Sequence, residues 1–244
     1  MIEATASTCV AVKFQLACFE RLGANGWLAL ENSIAAAREH GLLVLADGKR
    51  GDVPVTARAY AQALVGETPT PFGPVTGLGV DAFTANPLLG RDSLAPLIDA
   101  ADAAGAGCFV LVRTSNPGAA DVQDLPAGDG RVHEALARIV AELGEPRVGE
   151  CGLSDVGAVT GATRPELLER LRELMPRTIF LLPGVGAQGG AVDELAPAFR
   201  PHPAGGLITA SRSIVDAGGD GADHAAAARA AAEDMRRSAW ALAC

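Results

Sequence analysis

Apolar and polar positions alternate along the chain between two regimes, short unbroken apolar runs and longer mixed stretches. The apolar runs end near Lys13, Asp47, Thr84, Arg113, Val159, Leu182 and Thr209, bounded by glycine, proline or polar residues. Runs of this kind read as strands buried on both faces of a parallel sheet, and the stretches between them are long enough for crossover helices. Thr163-Arg164-Pro165-Glu166 has the pattern of a capping box with proline in the first turn, followed by Leu167, Leu168, Leu171 and Leu174 at helical spacing. A helix around Leu30 to His40 is expected to stop at Gly41, which suits a left-handed C-terminal cap. An Ala-rich helix is expected over much of Ala222 to Leu242, and the Pro- and Gly-rich stretch Thr68 to Gly79 reads as a loop.

This rhythm predicts an α/β fold carried by one domain over residues 1–244. A (β/α)8 TIM barrel, with seven strands identifiable, suits it better than an open doubly wound sheet. Polar residues gather at the strand C-termini: Lys13, Asp47 and Lys49, Asn86, Thr114 and Ser115, the Gly184 to Gly190 turn, and Ser211 with Arg212.

Composition narrows the partners. A net charge of -9 and a pI near 4.9 argue against nucleic acid or an anionic membrane surface, so an anionic small molecule must meet a local cationic pocket. Cys9, Cys18, Cys108, Cys151 and Cys244 are scattered and odd in number, which points to a reducing, cytoplasmic setting and no structural zinc, with Cys108 as core packing. Secretion and membrane insertion are not expected, as no leader or long apolar span is read. His40, His133, His202 and His224 lack metal-ligand spacing and read as surface or loop residues. Trp27 and Trp240 read as packing residues on helices, and Arg50 and Arg113 as surface ion-pair partners.

Arginine occurs eighteen times and lysine only twice, and both lysines, Lys13 and Lys49, sit at strand ends. Where a generic surface cation has become Arg, a surviving ammonium suggests chemistry that a guanidinium cannot do, because Lys shifts its pKa and can hand over a proton. Lys49 lies in Asp47-Gly48-Lys49-Arg50-Gly51-Asp52, directly after the run Gly41 to Ala46. If extension continues through residue 49, Asp47 and Lys49 project side by side. Two carboxylates and an ammonium within six residues perturb one another's pKa and mark a candidate site; a solvated salt-bridge loop is the bland alternative. The loops after the last two strands, Pro183 to Gly190 and Thr209 to Ser213, offer glycine backbone N–H groups, the Gln188 amide and the Arg212 fork to a phosphate.

Taken together, Val12-Lys13-Phe14-Gln15, Leu45 to Asp52, Thr114 to Gly118, Pro183 to Gly190 and Ser211-Arg212-Ser213 occur in an order that resembles orotidine 5'-phosphate decarboxylase, in its longer bacterial branch. The resemblance implies removal of CO2 from orotidine 5'-monophosphate without metal or organic cofactor, in a homodimer with shared sites. It implies that Lys13, Asp47 and Lys49 serve one site while Asp52 and Thr56 reach into the partner's. Ser115 is then the pyrimidine contact, and Gln188 and Arg212, with Ser211 beside them, are phosphate ligands. Lys49 would stabilise negative charge at C6 and deliver the proton, and Ser115 to Gly130 and Gly186 to Ala191 would act as lids.

The chain departs from the family at its start, where members carry one more strand and its helix; the expectation is that this first strand is missing through truncation. Two other readings stand beside the resemblance: a magnesium-dependent phosphosugar decarboxylase or lyase on the same kind of barrel, and a non-catalytic nucleotide-binding barrel.

Overall fold

The computed structural model describes residues 1–186, 188–219 and 223–243. The expected residues Ala187, Ala222 and Cys244 lie outside the described residues. The chain divides into two compact units, Val10–Val110 with Ile2, and Leu111–Cys244 with Met1 and Glu3–Cys9.

A short helix α1 (Ile2–Thr5) precedes the first strand. The first unit then runs β1 (Ala11–Gln15), α2 (Leu16–Glu20), α3 (Ala24–Glu39), β2 (Leu43–Arg50), α4 (Pro54–Leu64), a small hairpin β3 (Glu67–Thr68) and β4 (Val75–Thr76), β5 (Ala82–Ala85) and α5 (Arg91–Ala103). It ends within β6 (Gly107–Arg113). β1 pairs with β2, β2 with β5 and β5 with β6, all parallel. In β2 the run Val44 to Ala46 is buried, as are Phe83 and Ala85 in β5, while α3 covers the strands with Leu30, Ile34 and Ala37. α3 ends as expected at Gly41: its φ is 74°, its N–H donates to Arg38 O, and Leu42 N–H donates to Ala37 O. This paired 5→2 and 6→1 closure satisfies the last helical carbonyls and needs a residue at ease in the left-handed region.

The second unit continues with a hairpin β7 (Pro126–Ala127) and β8 (Gly130–Arg131), then α6 (Val132–Gly144), β9 (Ser154–Thr160), α7 (Leu168–Leu174), β10 (Thr178–Leu182), β11 (Gly206–Ile208), α8 (Arg212–Val215) and α9 (His224–Ala243). β10 pairs in parallel with both β9 and β11. Val156, Ala158, Val159, Phe180, Leu181 and Leu182 form its buried strand layer, packed by α6 with its buried Ala137 and Val140, and Leu168 and Leu171 are buried on α7 next to α6.

Six of the seven expected strand ends fall on β1, β2, β5, β6, β9 and β10 and the seventh, Thr209, just after β11, all within three residues of the observed termini. Several local expectations are corrected. Thr163 does not cap a helix: its hydroxyl donates to Ser115 O at 3.0 Å, Glu166 pairs with Arg164, and a single 3-10 turn (Pro165–Leu167) precedes α7. The expected loop Thr68 to Gly79 contains β4 and pairs through it with β3, since Glu67 and Thr68 register with Thr76 and Val75. Trp27 and Trp240 are exposed rather than packed. Arg113 and His133, expected at the surface, are buried.

One buried cation gave no signal in the sequence. Arg172 donates to the carbonyls of Met175, Thr178, Ala198 and Gly205 and lies over the Phe180 ring. Burial pushes its pKa down to about 10, so it remains charged at neutral pH, held by carbonyl dipoles in place of a carboxylate.

Candidate active site

At the C-terminal ends of β1 and β2 the first unit brings together both lysines on one carboxylate. Lys13 Nζ donates to Asp47 Oδ2 and Lys49 Nζ to Asp47 Oδ1, each at 2.6 Å. Thr84 Oγ accepts from the Lys49 backbone N–H at 2.8 Å, which leaves its own proton for Asp47 Oδ1 at 2.9 Å. Gln15 Nε2 adds a longer bond to Oδ2 at 3.3 Å. Four donors thus meet the four lone-pair sites of one carboxylate. Asp47 is 5% exposed. Burial alone would raise its pKa, but the Lys13 charge and hydrogen bond, with those of Lys49, outweigh it and hold the carboxyl below the usual range.

The expected approach of Asp47 and Lys49 is present, but strand alternation is not its cause. Lys49 has φ 50°, the sole non-glycine residue with positive φ among the described residues, and the β2–β5 register shifts between Ala46 and Arg50. A left-handed lysine inside a bulge turns its ammonium back onto Asp47, and the bond from its N–H to Thr84 fixes that turn. Gly48 is needed for space: a Cβ there would lie 2.7 Å from Leu16 Cδ1. The Lys49 side chain is 41% exposed, so its ammonium sits where the buried cluster opens.

Asp52 and Thr56 stand apart from this cluster. Asp52 Oδ1 accepts from Val53 N–H ahead of α4, and Thr56 lies in the first turn of that helix. Asn86, chosen from the sequence as a strand-end polar residue, accepts from Leu88 N–H in a local turn. Thr84 was missed in its favour. Arg50 pairs with Glu20, as a surface residue should, and its guanidinium also stands over the Tyr60 ring.

In the second unit Ser115, Thr163 and Gln188 converge on Gly184, whose φ is 105°: an added Cβ would lie 3.1 Å from Ser115 Cβ, 3.2 Å from Thr163 Cγ2 and 3.2 Å from Gln188 Oε1. The turn after β10 also meets the loop after β11, since a Cβ on Gly186 would lie 3.1 Å from Ser213 Oγ. That Ser213 oxygen is buried and has no hydrogen-bond partner among the described residues. Gln188, Ser211 and Arg212 are exposed around this junction. The expected pairing of the two loops is therefore present, with Arg212 opening α8.

The strand end that carries Ser115 is held from several directions. Gly161 N–H donates to Arg113 O at 2.7 Å, and a Cβ at Gly161 would lie 2.7 Å from both Ser115 N and Ser115 Cα. Arg113 grips Asp124 with two parallel bonds of 2.9 Å and also donates to Thr114 O. The guanidinium hydrogen bond holds the Asp124 carboxyl below its usual range. Gln123 accepts from Thr114 N–H at 2.8 Å and faces Thr114 Oγ at 3.1 Å. His133 Nδ1 lies 2.8 Å from Gln123 O, and because a carbonyl can only accept, Nδ1 carries the proton.

Among the described residues no group of three or more His, Cys, Asp or Glu could hold a metal ion, and no helix is long and apolar enough to cross a membrane.

Comparison with known proteins follows the same lines. Residues 1–231 match the family model described as Orotidine 5'-phosphate decarboxylase / HUMPS family. An orotidine 5'-phosphate decarboxylase of Rhodopirellula baltica is 44% identical over 88% of this chain and 70% of its own length. Among solved structures, the OMP decarboxylase of Leishmania donovani has a TM-score of 0.79 at 34% identity, covering 99% of this chain and 84% of that one. The UMP synthase of the same organism has a TM-score of 0.80 at 35% identity over 99% of this chain, which spans only 48% of that longer protein. These relatives are TIM barrels, the α/β class that the strand rhythm predicts.

Proposed function

The chain belongs to the orotidine 5'-phosphate decarboxylase / HUMPS family, and from that premise we propose how it converts orotidine 5'-monophosphate to uridine 5'-monophosphate and CO2, a step of pyrimidine biosynthesis. The observation that carries the proposal is the Asp47 carboxylate gripping both ammonium groups of a chain that has no other lysine.

Breaking the bond between C6 and the carboxylate leaves its electron pair on C6 while CO2 departs neutral. Lys49 holds a positive charge near that carbon and transfers an N–H proton to it, and water returns a proton to the amine afterwards. Asp47 holds Lys49 aimed before the transfer. Lys13 balances the carboxylate from its other oxygen, so Asp47 and the two lysines together keep one positive charge to meet the substrate carboxylate. Ser115 contacts the pyrimidine, and Gln188, Ser211 and Arg212 take the phosphate. The Ser213 hydroxyl beside Gly186, without a partner among the described residues, supports an anion site at that junction.

Asp52 and Thr56, outside the Asp47 cluster in this chain, are proposed to complete the site of a second copy in a homodimer. No cofactor enters the scheme, because both Asp47 oxygens are engaged by ammonium groups where a divalent ion would need them. We read residues 1–244 as one barrel domain working in the cytoplasm. The glycine-rich segment Gly186 to Ala191, of which Ala187 lies outside the described residues, is proposed as a lid over the phosphate. Ser115 to Gly130 is proposed as a second lid, with Gln123 and Asp124 within it bonded to Thr114 and Arg113.

The test is ultraviolet assay of orotidine monophosphate loss with EDTA present, comparing wild type and Lys49→Gly. Turnover that survives EDTA and falls by roughly 10²–10⁴-fold or more in the variant supports the scheme. Turnover abolished by EDTA overturns the metal-free scheme, and tight uridine monophosphate binding without turnover overturns catalysis by this chain.

A further inference from the structure

The Ser115 backbone is heavily restrained, yet its hydroxyl makes no hydrogen bond among the described residues. Gly161 closes on it from one side, Thr163 donates to its carbonyl, and Thr114 just before it is held at N–H, hydroxyl and carbonyl. Two of these restraints come from the excursion that follows Ser115 in the chain: Gln123, which takes the Thr114 N–H, and Asp124, which takes the Arg113 guanidinium bidentately. Just past the end of β6 the N–H of Thr114 donates to the Gln123 side-chain oxygen rather than to a strand carbonyl.

Gln123 is itself braced. Its N–H donates to Ala119 O at 2.7 Å, and its carbonyl accepts from the backbone N–H of His133 at 2.9 Å and from the His133 ring. Arg113 is 4% exposed, which keeps its fork on Asp124 out of competition with water. A polar side chain held this closely at the base of an unused hydroxyl has the geometry of a preorganised donor with its support.

We propose that Gln123, with Asp124 clamped on Arg113, is a positioning residue that sets where the Ser115 hydroxyl meets the pyrimidine. This rests on the reading of Ser115 as the pyrimidine contact. Gln123 acts through Ser115, so its removal should matter only while Ser115 is present. A role confined to closing the loop would instead cost the same with or without the hydroxyl.

A double-mutant cycle separates these cases. kcat and KM for orotidine monophosphate are measured for wild type, Ser115→Ala, Gln123→Ala, the double variant and Gln123→Glu, with thermal unfolding of each. Gln123→Ala is expected to lower kcat/KM by roughly tenfold, the worth of one or two neutral hydrogen bonds. The double variant is expected to match Ser115→Ala, and Gln123→Glu, which still accepts from Thr114, to recover most of the loss. The proposal is overturned if Gln123→Ala leaves kcat/KM unchanged, or if it costs as much in the Ser115→Ala background as in wild type. If Ser115→Ala alone retains wild-type kcat/KM, the Ser115 reading itself fails and the inference falls with it.

Discussion

Replacing Asp47 with Asn tests the electrostatic account of the lysine cluster. The substitution keeps shape but removes the charge and turns one face of the carboxylate into a donor. Asp47 accepts Lys49 and Thr84 on one oxygen and Lys13 and Gln15 on the other. An amide can accept on one side only, so its NH2 must confront an ammonium. Breaking a buried ion pair by removing one partner costs about 3–5 kcal/mol. The Lys49 side chain is 41% exposed and can retreat into water, so its share falls toward the ~0–1 kcal/mol of a surface pair. Lys13, at 20% exposure, keeps most of the penalty, and the expected total is about 3 kcal/mol. For a chain of this size that is a drop of roughly 6–12 °C in Tm at neutral pH.

The pH dependence fixes the sign independently. The folded pKa of Asp47 is depressed, so its contribution is present above the unfolded carboxylate value of about 3.9 and is lost as pH falls through the folded value. The gap between wild type and Asp47→Asn should therefore narrow below about pH 4. Urea unfolding followed by circular dichroism across that range measures it. A variant as stable as wild type at neutral pH, or a gap that stays constant into acid, would refute the claim that the two lysines depend on this carboxylate.

Lys49→Gly should lose less stability than Asp47→Asn by thermal unfolding, because relief of roughly 1 kcal/mol of left-handed backbone strain offsets part of the ~1–3 kcal/mol of leaving one acceptor site of buried Asp47 empty; a drop in Tm as large as that of Asp47→Asn would contradict the strain argument. Gly161→Ala should cost about 1–3 kcal/mol and raise KM for orotidine monophosphate, since the new methyl meets the Ser115 backbone rather than a side chain that can turn away; unchanged kinetics and Tm would show that the strand ends separate freely. Thr84→Val should cost about 1–3 kcal/mol by leaving the Lys49 N–H without its acceptor, and should lower kcat, measured by the same ultraviolet assay.

The strand ends were legible because parallel strands buried on both faces must be unbroken apolar runs, and the catalytic-end rule then pointed to Lys13, Asp47 and Lys49. What escaped has specific causes. Two-residue strands such as β3 and β4 have too few positions to show any period. The Thr163 pattern matched a capping box, but the Ser115 carbonyl, distant in sequence, took the hydroxyl instead. Arg113 and His133 were read as surface residues because no motif or ligand spacing claimed them, whereas Asp124 and Gln123 O, both supplied by the excursion after β6, make their burial possible. The positive φ expected of a glycine fell on Lys49, while neighbouring Gly48 serves clearance from Leu16.

Thr84 is the instructive omission, because counting lone pairs would have required it. A buried carboxylate presents about four acceptor sites, each costly to leave empty. Two ammonium groups approaching end-on fill two of them. At least one further donor must then come from a strand beside β2. Gln15 is directly opposite Asp47 in the β1–β2 register, and β5 is the neighbour on the other side. On β5 the fully apolar Phe83 and Ala85 flank one hydroxyl, so Thr84 is the donor that the sequence could supply. A strand-end rule selects residues near the opening, and here it chose Asn86. The demand of the buried charge selects the residue one turn of the pleat deeper, and the same count applied to any buried Asp between two lysines would name its neutral partners.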